Sequence, residues 1–125
     1  MKDFNHSFKL GATTEEVYIA LTNPFTIELW TGHPAKMSEE PGSSFELFDG
    51  DICGENIEFI INQKIVQEWY FGEQPEKSVV TVNLRSKGNY TIVDINHTNI
   101  PDSVYDEIKS GWKESIIEGL YQFFK

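Results

Sequence analysis

GWKESIIEGLYQFF, residues 111–124, has the spacing of a helix that packs on a sheet. On a helical projection one stripe carries large apolar side chains: Ile108, Trp112, Ile116, Leu120 and Phe123. Gly111, Ser115 and Gly119 lie beside that stripe, each four residues from the next. Small residues on the buried side of a helix either let another side chain approach closely or form the floor of a cavity. The residues alone leave both interpretations open.

The segment before this helix predicts an antiparallel meander. Residues 35–97 contain short β-rich runs separated by Asn, Asp, Gly and Pro, which favour turns. The runs are KMSE, SSFELF, GENIEFIIN, KIVQEWYF, SVVTVNLRS and YTIVDINH. An N-terminal strand is indicated by the alternation of Phe4, His6, Phe8 and Leu10. The sequence therefore predicts about seven strands.

Helix signals flank the meander on both sides. Thr13 or Thr14 can cap a first short helix, and Pro24 can open a second at its first position. Asp102 or Ser103 can cap the long C-terminal helix. A curved antiparallel sheet wrapped around that helix covers the apolar faces of both. We therefore predict an α+β fold in which residues 1–125 form a single domain.

Composition excludes several classes of partner and site. Ten basic and twenty acidic residues give a formal charge of −10, which is the wrong sign for binding nucleic acid or an anionic membrane surface. Cys53 is the only cysteine, so the chain can form neither an internal disulfide nor a thiolate metal cluster. No run approaches the ~18 apolar residues of a spanning helix, and the N-terminus lacks a signal-peptide pattern. We predict a cytoplasmic protein without membrane insertion.

Motifs for catalysis and cofactor binding are missing from the sequence. His6, His33 and His97 lack the spacing of metal ligands. There is no nucleophile elbow, phosphate-binding loop or dinucleotide fingerprint. Cys53 has no base near it in the sequence and lies among acidic residues, an environment that does not activate a thiol as a nucleophile. We assign no catalytic residue, metal or cofactor.

Several segments in a fixed order carry a family resemblance. They are EEVYIALTNP, EPGSSFELFDGDICGENIEFIINQKIVQEW, SVVTVNLRS, NHTNIP and SGW, together with Trp30. This chain resembles the homologues of the activator of Hsp90 ATPase, within the START and Bet v 1-like helix-grip superfamily. The resemblance implies a sheet that grips the C-terminal helix with an apolar cavity between them. Superfamily members use that cavity for lipids, hormones, polyketides or aromatic metabolites, and the eukaryotic activators carry such a domain as the C-terminal half of a cochaperone.

The resemblance favours a cavity at the small residues of the helix. Polar residues on the strands either face solvent or anchor a ligand. The predicted ligand-contacting residues are Trp30, Asn56, Gln67, Trp69, Thr81, Ile108, Gly111, Trp112, Ser115 and Gly119.

Three functions follow from this reading of the sequence. The first is a binding module for an apolar or aromatic small molecule. The alternative is an interaction module for an Hsp90-type chaperone. A cyclase- or aromatase-like enzyme ranks third, because the sequence identifies neither its acid nor its base.

Overall fold

The computed structural model describes residues 1–125, and its six strands form one antiparallel sheet. The strands are β1 Lys2–Leu10, β2 Ser44–Leu47, β3 Ile52–Ile60, β4 Lys64–Trp69, β5 Ser78–Lys87 and β6 Tyr90–Ile100. The meander runs in chain order from β2 to β6, and β1 pairs with β6 at the far edge, with Phe8 opposite Val93.

The prediction of about seven strands is wrong by one. The run KMSE forms only a single bridge, between Lys36 and Glu46. The backbone carbonyl of Ser38 accepts a hydrogen bond from the Asn56 side chain, 3.2 Å away. Because a side chain takes this carbonyl, the segment does not continue as a strand.

Two short helices connect β1 to β2, as the sequence predicts. Helix α1, Thr14–Thr22, is capped by Thr13, whose side chain forms a reciprocal capping box with Glu16. Helix α2, Pro24–Thr31, has Pro24 at its start and the Asn23 side chain as its cap. It ends at Gly32, whose left-handed backbone (φ 78°) suits glycine.

Residues 102–123 form the C-terminal helix, which changes type along its length. A 3₁₀ turn, Asp102–Val104, leads into α-helical Tyr105–Ser110, π-helical Gly111–Ile117 and α-helical Glu118–Phe123. The predicted capping by Asp102 or Ser103 is wrong, because neither side chain caps the helix. The Asp102 carboxylate instead accepts a hydrogen bond from the N-terminal amine, 2.7 Å away.

The π-helical segment follows from a four-residue spacing of apolar side chains. The residues at this spacing that pack on the core are Val104, Ile108, Trp112, Ile116, Leu120 and Phe124, and Tyr105 and Ile117 beside them also pack on it. An α-helix turns about 100° per residue, so five steps of four residues would place the last side chain about 200° from the first. A π-helix turns less per residue, which keeps these side chains facing the sheet. For this reason Phe124 contacts the core, whereas Phe123, predicted on the buried stripe, is 38% exposed.

The core lies between the inner face of the sheet and the three helices. Leu10, Phe45 and Val93 from the sheet are fully buried, as are Val17 of α1 and Leu120 of the C-terminal helix. No helix in the structure combines the length and the apolar character needed to cross a membrane.

Candidate functional site

Two stacked indoles occupy the centre of the space between the sheet and the C-terminal helix. Trp69 ends β4 and Trp112 lies in the π-helical segment; their ring centroids are 5.0 Å apart and their planes differ by 14°. Phe4 of β1 stacks against Trp112 at 6.3 Å. Both indoles are buried, and stacked aromatic pairs add to the stability gained from burial.

The indole of Trp112 is hydrogen-bonded to a buried histidine. Its Nε1–H donates to Nδ1 of His97, at 2.9 Å. With Nδ1 acting as acceptor, Nε2 carries the ring proton and donates to the Ser78 hydroxyl, 2.7 Å away. That hydroxyl donates in turn to the carbonyl of Thr98 at 3.0 Å. The imidazole is therefore neutral and fixed in one tautomer, and its burial lowers the pKa of His97 to about 4.

A second polar chain begins at Trp69. Its Nε1–H donates to Oε1 of Gln67 at 3.1 Å, and Nε2 of Gln67 donates to Oδ1 of Asn56 at 3.0 Å. The Asn56 amide then donates to the Ser43 hydroxyl at 3.1 Å as well as to Ser38. No buried side-chain nitrogen or oxygen is left without a partner. Asn56 and Gln67 thus fasten the 38–43 loop to the sheet.

The interior retains a small apolar cavity. Its volume is about 50 Å³. The lining is apolar except for Gln67 and includes Trp30, Trp69 and Trp112. An apolar cavity of roughly 150 Å³ accommodates benzene. In this conformation the space is too small for a planar aromatic or a sterol.

The three small residues of the C-terminal helix have different surroundings. A Cβ added at Gly119 would lie 3.1 Å from Cε3 of Trp30, so this glycine permits close packing. A Cβ at Gly111 would meet nothing within 4 Å. Gly111 and Ser115 line a surface groove of about 480 Å³. Close packing thus explains one small residue, and an open groove explains the other two.

The predicted ligand-contacting residues fall into three places. Trp30, Gln67, Trp69 and Trp112 line the cavity, and Ile108, Gly111, Ser115, Trp69 and Trp112 line the groove. Asn56 and Thr81 line neither, and Gly119 lines a separate groove beside α2. Thr81 lies on the outer face of β5, because its neighbours Val80 and Val82 point into the core.

Sequence reasoning missed six residues of this groove: His33, Phe48, Asp51, Ile52, Glu107 and Ile116. Phe48 lies in the FDGD turn with a left-handed backbone (φ 52°), which is unusual for a bulky residue. Its ring packs against Trp30 and His33, with ring centroids at 6.4 Å and 6.0 Å. Because Phe48 lies among turn-forming residues, the sequence pattern does not indicate that its ring packs against Trp30 and His33.

A second surface feature lies between α2 and the C-terminal helix. Phe25 and Leu29, on the outer side of α2, are 77% and 73% exposed. Beside them runs a groove of about 540 Å³ that we call the helix-pair groove. Its lining residues are Leu29, Trp30, Glu114, Ser115, Glu118, Gly119, Gln122 and Phe123. The exposure of Phe25 and Leu29 beside this groove was not predicted.

The buried imidazole makes stability depend on pH. The unfolded chain binds a proton at His97 below about pH 6.5, whereas the folded chain resists protonation down to about pH 4. The free energy of unfolding should therefore be highest above pH 6.5 and fall by about 3 kcal/mol as the pH drops to 4. Urea denaturation at pH 7.5 and 5.0 should show a loss of about 2 kcal/mol.

At pH 5.0 the carboxylates of Asp94 and Asp102 remain ionised. Hydrogen bonds from Arg85 and from the N-terminal amine, respectively, lower their pKa values. His97→Gln should remove the pH dependence, and His6→Gln, which replaces an exposed ring, should retain it. Equal stability of the wild type at both pH values would contradict the assignment.

Comparisons with known proteins agree with this architecture, which is a helix-grip fold. Residues 11–125 match the family model described as activator of Hsp90 ATPase homolog 1-like protein. The chain belongs to this family.

Named relatives and solved structures extend the match. The human protein "Activator of 90 kDa heat shock protein ATPase homolog 1" is 28% identical over 112 residues, covering 88% of this chain and 33% of the relative. This chain thus spans about a third of the length of the curated relatives it matches. The structure of an HSP90 activator from Plasmodium falciparum superposes with a TM-score of 0.88 at 28% identity, covering 96% of this chain and 94% of that one. An Aha1 dimer from Colwellia psychrerythraea has a TM-score of 0.84 at 21% identity, covers 99% and 96%, and shows the same fold.

Proposed function

We propose that the protein binds an Hsp90-type chaperone as a cytoplasmic interaction module, with residues 1–125 acting as one domain. The observation that carries this proposal is the contrast between a nearly filled interior and exposed large apolar side chains. The cavity has a volume of only about 50 Å³, while Phe25 and Leu29 are more than 70% exposed. Exposed apolar patches on a small protein are typical of interaction sites.

The names of the relatives indicate which kind of protein the partner is. Both the human relative and the Plasmodium structure carry names that describe activators of the 90 kDa chaperone. The Plasmodium chain is covered over 94% of its length, so a protein of this size and fold bears that description. For this protein, chaperone binding is the function that agrees with both the family and the surface.

The test is a direct binding measurement between this protein and a purified Hsp90-type chaperone. Isothermal titration calorimetry at low salt should show saturable binding, and affinity should weaken with added salt because the chain carries a formal charge of −10. The ATPase rate of the chaperone, measured in the same mixtures, should rise as the protein saturates it. Absence of binding at low salt would refute the proposal.

Small-molecule binding is the second candidate, and one observation favours it. Trp69, Trp112 and Ile116 line both the small cavity and the surface groove of about 480 Å³, so they separate the two spaces. Displacing the Trp112 ring would join them. An NMR titration with fatty acids, sterols and planar aromatics should then shift the indole signal of Trp112 saturably. An unchanged spectrum with every compound would eliminate this candidate.

The geometry gives less support to the hypothesis of a cyclase- or aromatase-like enzyme. A cyclase needs a proton-transfer group that faces its substrate. His97 is fully buried, and both of its ring nitrogens are engaged by Trp112 and Ser78. The imidazole of His97 therefore holds Trp112 and Ser78 in place within the core.

A further inference from the structure

We propose that the helix-pair groove is the docking surface and that it takes a basic, amphipathic helical segment of the partner protein. The partner's identity as a chaperone rests on the proposed function. The chemistry of the docked segment rests on the groove itself.

The apolar part of the surface has no structural role in the monomer. Phe25 and Leu29 are four residues apart and share one side of α2. Other residues of α2 already anchor the helix, since Ile27 is buried on the opposite side and Nε1 of Trp30 donates to the carbonyl of Ala20 at 2.7 Å. An eight-residue helix held on its inner side gains nothing from two large apolar side chains in water. Their placement fits a partner that covers them.

The charged residues of the groove favour a partner segment that carries positive charge. Glu114 and Glu118 line the groove, and the groove lining contains no lysine or arginine. Neither carboxylate forms an ion pair within the chain. Glu118 accepts only a neutral hydrogen bond, from Gln122 at 2.9 Å. Lysine or arginine side chains from a partner would give these carboxylates their missing counter-charges.

The dimensions of the groove suit a short helix. Its C-terminal-helix wall runs from Glu114 to Phe123, about 14 Å at 1.5 Å per residue. A docked helix of the same length offers about nine residues, enough for apolar anchors at i and i+4 with basic residues beside them. The apolar anchors would contact Leu29 and Phe123 in the groove and extend over Phe25 beside it, and the basic residues would reach Glu114 and Glu118.

A second copy of the chain fits this surface poorly. In a two-fold symmetric dimer the same patch meets itself. Glu114 and Glu118 of both copies would then lie within one interface that brings no lysine or arginine from the groove, and like charges gathered there oppose association. A basic partner avoids this repulsion.

The first arm of the test is an NMR titration with a helical peptide of about 14 residues containing leucine and lysine at amphipathic spacing. A scrambled peptide of the same composition controls for net charge. We expect saturable shifts at the amides of Leu29, Gly119 and Gln122 with the amphipathic peptide. Equal binding of the scrambled peptide, or shifts centred elsewhere, would overturn the docking surface.

Matched variants identify the contact. Phe25→Ser/Leu29→Ser should weaken peptide binding at least about tenfold, because buried apolar anchors dominate interface energies. Ile61→Ser is the control: Ile61 is 68% exposed and lies beyond the end of β3, outside the groove. Glu114→Gln/Glu118→Gln should weaken binding and reduce its salt dependence. If the serine double variant binds as tightly as Ile61→Ser, the proposal is wrong.

The second arm applies the same variants to the chaperone. If the wild type binds it and Phe25→Ser/Leu29→Ser binds equally well, the docking surface is refuted while the proposed function stands. If no variant binds the chaperone but the peptide results are as expected, the chaperone assignment fails and the groove retains its preference for a basic helix. A dimer in sedimentation that Phe25→Ser/Leu29→Ser dissociates would identify a second copy as the occupant and overturn the proposal.

Discussion

Replacing Trp112 by alanine should lower the free energy of unfolding by about 3–5 kcal/mol. The substitution removes an indole stacked between Trp69 and Phe4 and leaves a void beside the existing cavity. It also leaves Nδ1 of His97 without its hydrogen-bond donor. Urea denaturation at pH 7.5, followed by far-ultraviolet circular dichroism, measures the change.

Trp112→Phe separates packing from hydrogen bonding. Phenylalanine keeps an aromatic ring against Trp69 but cannot donate to His97, so its cost should be closer to that of one unpaired buried acceptor, about 1–3 kcal/mol. If Trp112→Ala costs less than about 1 kcal/mol, the indole does not stabilise the core as described.

Gly54→Ala should destabilise the protein by about 3 kcal/mol, at the upper end of overpacking costs. A Cβ added at Gly54 would lie only 1.8 Å from the carbonyl oxygen of Glu68 and 3.0 Å from Cε1 of Phe45. The obstructing atom belongs to the backbone of the neighbouring strand β4, so it cannot move without disturbing the ladder. Thermal and urea denaturation should both register the loss.

Gly111→Ala is the matched control. A Cβ there meets nothing within 4 Å, and the backbone is helical, with φ −59° and ψ −43°. Alanine in place of glycine within a helix should stabilise the protein by about 0.5–1 kcal/mol. Comparable destabilisation by Gly54→Ala and Gly111→Ala would show that the strand contact is not the cause.

Features determined by local chemistry could be predicted from the sequence. Thr13 and Pro24 mark helix starts through side-chain and ring properties that act within a few residues. The meander from β2 to β6 followed from turn residues, and the helix-grip fold followed from the family resemblance, whereas the pairing of β1 with β6 was not predicted. The extra strand at residues 36–39 was predicted wrongly because the hydrogen bond from Asn56 comes from a distant part of the chain.

The candidate site depended on facts that sequence patterns do not contain. Asn56 and Gln67 look like ligand anchors one at a time, but they satisfy each other because β3 and β4 pair them directly. Phe25 and Leu29 have the hydropathy of core residues, and only the orientation of α2 places them in solvent. Gly119 and Gly111 are the same residue type with opposite surroundings, since Trp30 approaches only the former.

The π-helical segment also determines where the chain can change length. In an ordinary α-helix, deleting one residue turns everything downstream by about 100° and would carry Leu120 out of the core. The segment Gly111–Ile117 has wider turns than an α-helix, so losing one exposed residue there, such as Lys113 or Glu114, can be absorbed by tightening to α-helical turns. The parts of the helix before and after this segment would keep the same side chains facing the sheet. Natural insertions and deletions in this helix should therefore concentrate in these seven residues.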